Sequence, residues 1–129
     1  MLTYGFFNSK NNDRIYDATD FGSIFDGVIN DGVYMGIGNH LNVSADGKSM
    51  KVTIDTGRAW FDHTWTLNTA EYEMTIEQSE LIQDRIDAVV LDVDHRENYR
   101  LNSFQIVKGV RSTNPQKPQM INQQFHKQY

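Results

Sequence analysis

Asp62 and His63 form a histidine–carboxylate pair of the kind that acid–base catalysis uses, and they lie between two tryptophan-bearing segments. A general base also needs an orienting partner and a substrate pocket. Because adjacent residues of a strand point to opposite faces, the two side chains are poorly placed to cooperate unless a turn brings them together. A hydrolase centred on this pair is the weakest hypothesis, and we expect that the chain is not an enzyme.

Metal and cofactor chemistry is not indicated by the other polar residues. Asp13, Asp17 and Asp20 lack the alternating ligand positions and the turn glycine of a calcium loop. The chain has no cysteine, which excludes disulfides and thiolate zinc sites. The histidines are scattered without metal-ligand spacing, at His40, His63, His95 and His126. We expect no metal and no cofactor, and solvated side chains for the last two histidines.

Three aromatic residues, Trp60, Trp65 and Tyr72, fall on neighbouring predicted strands and are the candidate binding residues. Core packing is the common fate of tryptophan in a strand. The same rings could instead form a stacking face for a sugar, or be buried at a subunit interface, where Trp and Tyr are enriched. The sequence leaves these three uses open.

Alternating apolar and polar residues predict the strands that must position these rings. Val52 and Ile54 alternate with polar neighbours after the hairpin signal Asp46-Gly47. Further strands are predicted at 58–61, 64–68, 72–76, 86–93 and 99–107. The strand at 86–93 is apolar on both faces and is expected to be the most buried. The expected fold is mainly β: a small antiparallel β-sheet or sandwich with one short amphipathic helix near the N-terminus.

The helix is predicted from its cap and from its apolar spacing. Asp17 is the expected N-cap, and Asp20 favours the positive end of the helix dipole. Apolar residues follow at the spacing of one helix face: Phe21, Ile24, Phe25, Val28 and Ile29. Gly22 and Gly27 each weaken a helix by roughly 1 kcal/mol relative to Ala. We therefore expect this helix to depend on docking.

Two segments are expected to be irregular. The glycine-spaced stretch 31–38 predicts a loop with one extended pair, and the stretch 78–84 fits either a helical turn or a loop. Residues 111–129 hold both prolines and many glutamines. We therefore expect a β-rich domain over residues 1–110 and a polar, proline-containing tail or linker over residues 111–129.

Length, charge and apolar content limit the possible binding partners and the cellular compartment in which the protein is made. A length of 129 residues fits one domain, and the formal net charge of −5 disfavours nucleic acid. No apolar stretch approaches the ~20 residues that span a bilayer, so we expect no membrane partner. The first residues carry neither a basic nor an apolar signal region. We expect synthesis in a cytoplasm without a secretion signal.

Several motifs, in order, resemble tail-tip proteins from phages and prophages of Gram-positive bacteria. The opening motifs are Gly5-Phe6-Phe7-Asn8-Ser9, Asp13-Arg14-Ile15-Tyr16, Asp20-Phe21 and Gly32-Val33. The next block comprises Leu41-Asn42-Val43, Met50-Lys51-Val52-Thr53-Ile54, Thr56-Gly57-Arg58-Ala59-Trp60-Phe61 and Trp65. The last block is Arg85-Ile86-Asp87-Ala88-Val89-Val90-Leu91, closed by Lys108-Gly109. No single motif is specific, but their order and spacing over roughly residues 4 to 110 are similar to that family.

The resemblance implies a virion structural protein: the N-terminal module of a baseplate, tail-fibre or receptor-binding protein at the tail tip. Its partners would be other tail and baseplate proteins and further copies of itself, with a trimer favoured. Such proteins are made in the host bacterial cytoplasm and leave by lysis. The family supplies no catalytic residues. The alternative function is a glycan-binding module, in which surface aromatic residues recognise a cell-surface carbohydrate.

Overall fold

The computed structural model describes residues 1–78 and 83–129, and it is mainly β. Its elements are α1 (Ala18–Ser23), β1 (Gly32–Gly38), β2 (Val43–Ala45), β3 (Lys51–Ile54), β4 (Gly57–Phe61), β5 (Thr64–Asn68), β6 (Tyr72–Thr75), β7 (Ala88–Asp94), β8 (Leu101–Val107), β9 (Asn122–Gln123) and β10 (His126–Gln128). The strands form three antiparallel sheets with the orders β1-β4-β5, β2-β3-β6 and β8-β7-β10-β9. This small, sandwich-like antiparallel fold confirms the predicted fold class.

The β2–β3 hairpin forms where the sequence predicts it. The Asp46 carboxylate accepts hydrogen bonds at 2.8 Å from the backbone N–H groups of Lys48 and Ser49, and Gly47 takes a φ of 69° that favours glycine. Beyond this turn, the alternating residues Val52 and Ile54 are buried at 6% and 1% exposure. The turn residues and the alternation of apolar residues therefore favour the same register for strands β2 and β3.

The core lies between the β1-β4-β5 sheet and the β7-containing sheet. Ala59 of β4 packs against Leu91 and Val93 of β7, with partly buried side chains around them: Leu41, Phe61, Phe104 and Tyr129. Toward one edge the contact becomes polar, because the Asn102 side-chain amide donates hydrogen bonds at 2.9 Å to the hydroxyls of Thr64 and Thr66. Strand β7 is the most buried strand, as predicted.

The predictions for two segments that were expected to be irregular are wrong. Residues 32–38 form strand β1 rather than a loop, because pairing with β4 overrides the low strand propensity of three glycines. The stretch 111–129 is not a solvated tail throughout, since β10 pairs with β7 from His126 opposite Asp94 to Gln128 opposite Asp92. The backbone of Tyr129 also exchanges two hydrogen bonds with Leu91. Most of the ambiguous segment 78–84 lies outside the described residues.

The Arg85-Ile86-Asp87 motif forms a clamp with Gly109. The Arg85 guanidinium makes two hydrogen bonds to the Asp87 carboxylate, at 2.7 and 2.8 Å, and both side chains are nearly buried. The Gly109 N–H donates to the same carboxylate at 3.0 Å. A Cβ atom at Gly109 would lie 2.0 Å from the Ile86 carbonyl oxygen, so this close approach requires glycine.

The helix is shorter than its apolar stripe. Asp17 caps α1 by accepting hydrogen bonds from the N–H groups of Thr19 and Asp20, and the Asp20 side chain accepts from the Asp17 N–H. This capping box confirms the predicted start. The helix ends at Ser23, and turns follow. Among the described residues, no helix has the length and apolar character needed to cross a membrane.

Candidate functional site

Trp60 and Trp65 stand directly opposite each other on the paired strands β4 and β5. Directly opposed residues of an antiparallel pair share a face. Ala59 and Thr66, also opposed, point to the core side, so the two tryptophans point away from it. Trp65 is 61% exposed, whereas Trp60 is half-buried beneath Phe25, whose ring lies 5.4 Å away and nearly perpendicular to it. Core packing therefore does not account for Trp65.

Arg58 and Leu67 complete a small surface that we call the outer face: Arg58, Trp60, Trp65 and Leu67. Arg58 and Leu67 are the next opposed pair on this side of the sheet. The Arg58 guanidinium carbon lies 5.3 Å from the centre of the Trp65 ring, within cation–π distance. Leu67 is 48% exposed. The outer face therefore offers an aromatic ring, a cation and an aliphatic side chain to a partner.

Tyr72 does not join this pair. It lies on β6, in the sheet with β2 and β3, opposite Ile54. Its ring lies 5.4 Å from Phe104 of β8. The expectation that the three aromatics occupy neighbouring strands is correct for Trp60 and Trp65 and wrong for Tyr72.

Asp62 and His63 form the tight turn between β4 and β5. Both residues have positive φ values, 48° and 61°, as a two-residue hairpin turn with matching twist requires. The Asp62 carboxylate contacts Lys127 at 2.8 Å and His95 at 3.1 Å, whereas the His63 ring contacts Asp26 at 2.7 Å. The two side chains bind different partners, so the turn does not make a catalytic pair of them.

This turn is also where the N-terminal segment attaches to the sandwich. Gly22 is buried, and a Cβ atom there would lie 2.7 Å from the Cβ of His63. The Asp26–His63 contact and the Phe25–Trp60 contact flank this close approach. Glycine at position 22 thus lets the helix pack directly on the turn.

Beyond this attachment, the N-terminal aromatic unit consists of Tyr4, Phe6, Phe7, Tyr16 and Phe21. Phe6 stacks on Tyr16 at 5.0 Å and meets Phe21 edge-on at 5.6 Å, while Tyr4 meets Phe7 edge-on at 5.9 Å. The Tyr16 hydroxyl accepts a hydrogen bond at 2.7 Å from the Phe7 N–H. All the rings except Tyr16 are at least half exposed. The unit is internally packed but uncovered.

The aspartates near this unit have local structural roles. Asp13 accepts hydrogen bonds from the Lys10 N–H and the Ser9 hydroxyl, and Asp17 and Asp20 form the capping box of α1. Helix capping therefore explains Asp17 and Asp20, as predicted from their spacing.

The chain exposes far more surface than a compact monomer of its size. A folded monomer of 14.9 kDa exposes about 7,000 Å², whereas this chain exposes 9985 Å². The excess is about 3,000 Å². Ten large apolar side chains within the first 28 residues are among the exposed ones. Exposed apolar surface of this kind is typical of sites where another molecule binds.

A buried polar cluster joins β7 to β10. The His126 ring lies 2.9 Å from Asp92 and 4.0 Å from Asp94, and the Gln128 side-chain amide donates to Asp92 at 2.9 Å. The expected solvated His126 is thus corrected: its side chain is only 12% exposed, because strand pairing places it over two carboxylates. Sequence reasoning missed this cluster, since His126 lies far along the chain from its partners.

The cluster has the donor types of a divalent cation site, since its ligand atoms lie within 4.8 Å of one another. However, Arg96 already binds the Asp94 carboxylate through its Nε at 2.9 Å and its Nη2 at 2.6 Å. This hydrogen-bonded guanidinium lowers the pKa of Asp94 from 3.8 to about 2. A cation would have to compete with it. We therefore interpret the cluster as a clasp that holds β10 on β7.

An apolar groove of about 170 Å³ opens between the sheets. Val33, Leu41, Phe61, Phe104 and Tyr129 are among the residues that line it. Burial, together with the carboxylates of Asp62 and Asp31, raises the pKa of the Tyr129 hydroxyl to about 12. The phenol is therefore neutral at physiological pH, and the groove presents an apolar surface.

Comparisons of the chain with protein-family models, with curated proteins and with solved structures return no match.

Proposed function

We propose that this protein is a structural module of a phage or prophage virion that assembles at the tail tip and helps to attach a receptor-binding apparatus. The observation that carries the proposal is the surface excess of about 3,000 Å² over a compact monomer. Aromatic and aliphatic side chains of the first 28 residues are among the exposed ones. A protein that works inside an assembly buries such surface against its neighbours, whereas a freely diffusing monomer gains nothing from exposing it.

The motif pattern adds independent support. Its Arg85-Ile86-Asp87 element and its Lys108-Gly109 element meet in the clamp between Asp87 and Gly109. Two motifs separated by more than 20 residues thus act on one structural feature. Shared architecture is what a resemblance among virion structural proteins would preserve.

The assembly would comprise further copies of this chain, with a trimer favoured, and other tail or baseplate proteins. Synthesis would take place in the host cytoplasm, and the protein would reach its place at the tail tip during virion assembly. The clasp and the groove are assigned structural roles in this proposal, and no catalytic role is assigned to any residue.

Immunogold electron microscopy tests the location directly. Antibodies raised against the purified chain are applied to virions induced from the bacterium that encodes it, beside virions from a deletion strain. We expect gold at the tail tip of the wild-type particles and none on the deletion particles. Intact particles that carry no label, while the protein stays in the lysate, would contradict the virion role.

A second candidate function is glycan binding, which the geometry of Trp65 favours. Its ring is 61% exposed, and the Arg58 guanidinium lies over the ring, so a sugar could stack on the exposed part of the ring and hydrogen-bond to the guanidinium. Binding of purified cell-wall polysaccharide by wild type and by Trp65→Ala tests this function. Binding that Trp65→Ala abolishes while circular dichroism stays unchanged would support it, and no binding by wild type would exclude it for that polysaccharide.

A further inference from the structure

We propose that the N-terminal aromatic unit of one copy packs on the outer face of a second copy, and that repeated contacts of this kind close into a ring. The inference rests on the assembly role proposed above. It names the partner of that assembly, a second copy of this chain, and the two surfaces that meet.

The outer face is covered on one side only. Phe25 of the same chain lies edge-on over Trp60 at 5.4 Å. Beside it, Trp65 and Leu67 are 61% and 48% exposed, and the Arg58 side chain lies over the Trp65 ring. The intramolecular contact shows the kind of group that fits this surface, because aromatic rings pack favourably edge to face. The open half is therefore suited to further phenylalanine or tyrosine rings.

The N-terminal aromatic unit presents such rings in a fixed arrangement. Tyr4 is 69% exposed and Phe7 is 57% exposed. Phe7 is anchored through its backbone to the Tyr16 hydroxyl, and Tyr4 leans on Phe7. A surface that is already ordered before binding loses less conformational entropy when it binds. The unit therefore resembles a prepared contact surface more than a flexible end.

The unit is attached to its own chain at the β4–β5 turn, and Trp65 and Leu67 of the same chain stay exposed. Gly22 packs on His63 of the β4–β5 turn, and Asp26 binds the same histidine at 2.7 Å. This attachment fixes the unit at the turn, with its rings still uncovered. A second copy can cover them by bringing its Trp65 and Leu67 against them.

The exposed area matches two neighbours for each copy. The excess of about 3,000 Å² belongs to the whole chain, and if two neighbours covered all of it, each contact would bury about 1,500 Å² of this copy. This is above the ~800 Å² per partner of a standard interface and within the range of obligate oligomers. The two surfaces are different, so the contact is heterologous. Such contacts give a ring when each copy uses its two surfaces on two different neighbours, and a two-fold dimer when both contacts are made reciprocally with the same neighbour.

Cysteine crosslinking tests the contact, since the chain has no natural cysteine. Asn8→Cys places a thiol beside Phe7, and Leu67→Cys places one beside Trp65. Each variant alone, and the two mixed, are incubated under mild oxidation and resolved on a denaturing gel. Val110→Cys, at a residue that is 80% exposed and outside both surfaces, is the matched control. Circular dichroism confirms that each variant is folded.

We expect a disulfide-linked dimer in the mixture of Asn8→Cys and Leu67→Cys, and little in either variant alone or in mixtures with Val110→Cys. The double variant should give a ladder that extends beyond the dimer and stops at the size of the ring, whereas a product that stops at the dimer would show a reciprocal two-fold contact and overturn the ring. Efficient crosslinking of Asn8→Cys with itself would overturn the proposal in favour of a symmetric contact. The absence of crosslinks in the mixture would overturn it as well. Immunogold labelling is independent of this result, so failure of the ring and failure of the virion role can be told apart.

Discussion

Aromatic rings lie in solvent at the N-terminus, whereas carboxylates are buried in strand β7. Phe6 and Phe7 are at least half exposed, but Asp92 and Asp94 are 7% and 5% exposed. Residue type alone would predict the opposite arrangement, with aromatic rings buried and carboxylates at the surface. Each inversion has its own cause. The carboxylates are satisfied by Arg96, Gln128 and His126, and the rings are packed on one another without a cover.

We infer from this difference that the buried carboxylates contribute to the stability of the fold and the exposed rings to assembly. Buried polar groups that are fully hydrogen-bonded fix one arrangement of a fold, which suits the sheet that holds β10. Exposed rings add little to the stability of an isolated chain, but they are the groups that carry binding energy at interfaces. We therefore expect substitutions in the sandwich to change the free energy of unfolding, and substitutions in the N-terminal aromatic unit to change the oligomeric state.

The largest expected effect is on the free energy of unfolding, and it is tested by making the same substitution, Ile to Ala, in each of the two regions. Ile54 is 1% exposed in the sandwich, and Ile15 is 87% exposed near the N-terminal aromatic unit. Ile54→Ala should lower the free energy of unfolding by about 4 kcal/mol, because it leaves a cavity. Ile15→Ala should change it by less than about 0.5 kcal/mol. Urea denaturation at one protein concentration measures both, and equal losses would break the comparison.

A smaller loss is expected when the clamp is disturbed. In Gly109→Ala, the new methyl would meet the Ile86 carbonyl oxygen at 2.0 Å, so the backbone must move and the bond to Asp87 weakens. We expect a loss of roughly 3 kcal/mol in the free energy of unfolding. Gly36→Ala is the matched control, since nothing lies within 4 Å of its added Cβ. If both variants unfold at the wild-type midpoint, Gly109 does not hold the clamp.

The dependence of stability on acid pH tests the role of the buried carboxylates. Arg96 holds the pKa of Asp94 at about 2, below its ordinary value of 3.8. The stability that this pair contributes is therefore complete above about pH 4 and is lost as the pH falls toward 2. Asp94→Asn should lower the urea midpoint at neutral pH and flatten its decline over the acid range. A variant whose decline matches wild type would show that Asp94 is not responsible.

The smallest effect is spectroscopic and lies at the alkaline end. Burial raises the pKa of Tyr129 from 10.0 to about 12, so its contribution to stability is complete below pH 10 and lost as the pH rises to 12. Ultraviolet absorbance should reveal one late-ionising tyrosine that is absent from Tyr129→Phe. If the variant still shows the late step, another tyrosine is the buried one.

Local sequence signals predicted much of the fold, and contacts between distant residues account for what they missed. The Asp46-Gly47 turn, the N-cap at Asp17 and the apolar run in β7 were predictable because neighbouring residues determine them. Strand β10 was missed because its polar residues gain their partners only by pairing with β7.

The candidate surfaces were only partly predictable. Trp60 and Trp65 are brought together by a hairpin that the sequence indicates. The helical stripe predicted burial for Phe21 and Val28, but they are 57% and 78% exposed, because α1 ends at Ser23 and packs on the turn through Gly22. Periodicity identifies an apolar face, and the described residues of this chain leave much of it exposed.

The most direct test of the central claim is the absolute mass of the full chain in solution. Light scattering behind a sizing column is recorded over a wide range of loading concentrations for wild type, Phe7→Glu and Val110→Glu. We predict one fixed multiple of 14.9 kDa for wild type and for Val110→Glu, and a mass of 14.9 kDa for Phe7→Glu. A wild-type mass of 14.9 kDa at every concentration would contradict the claim that the exposed aromatic surface is covered by copies of this chain.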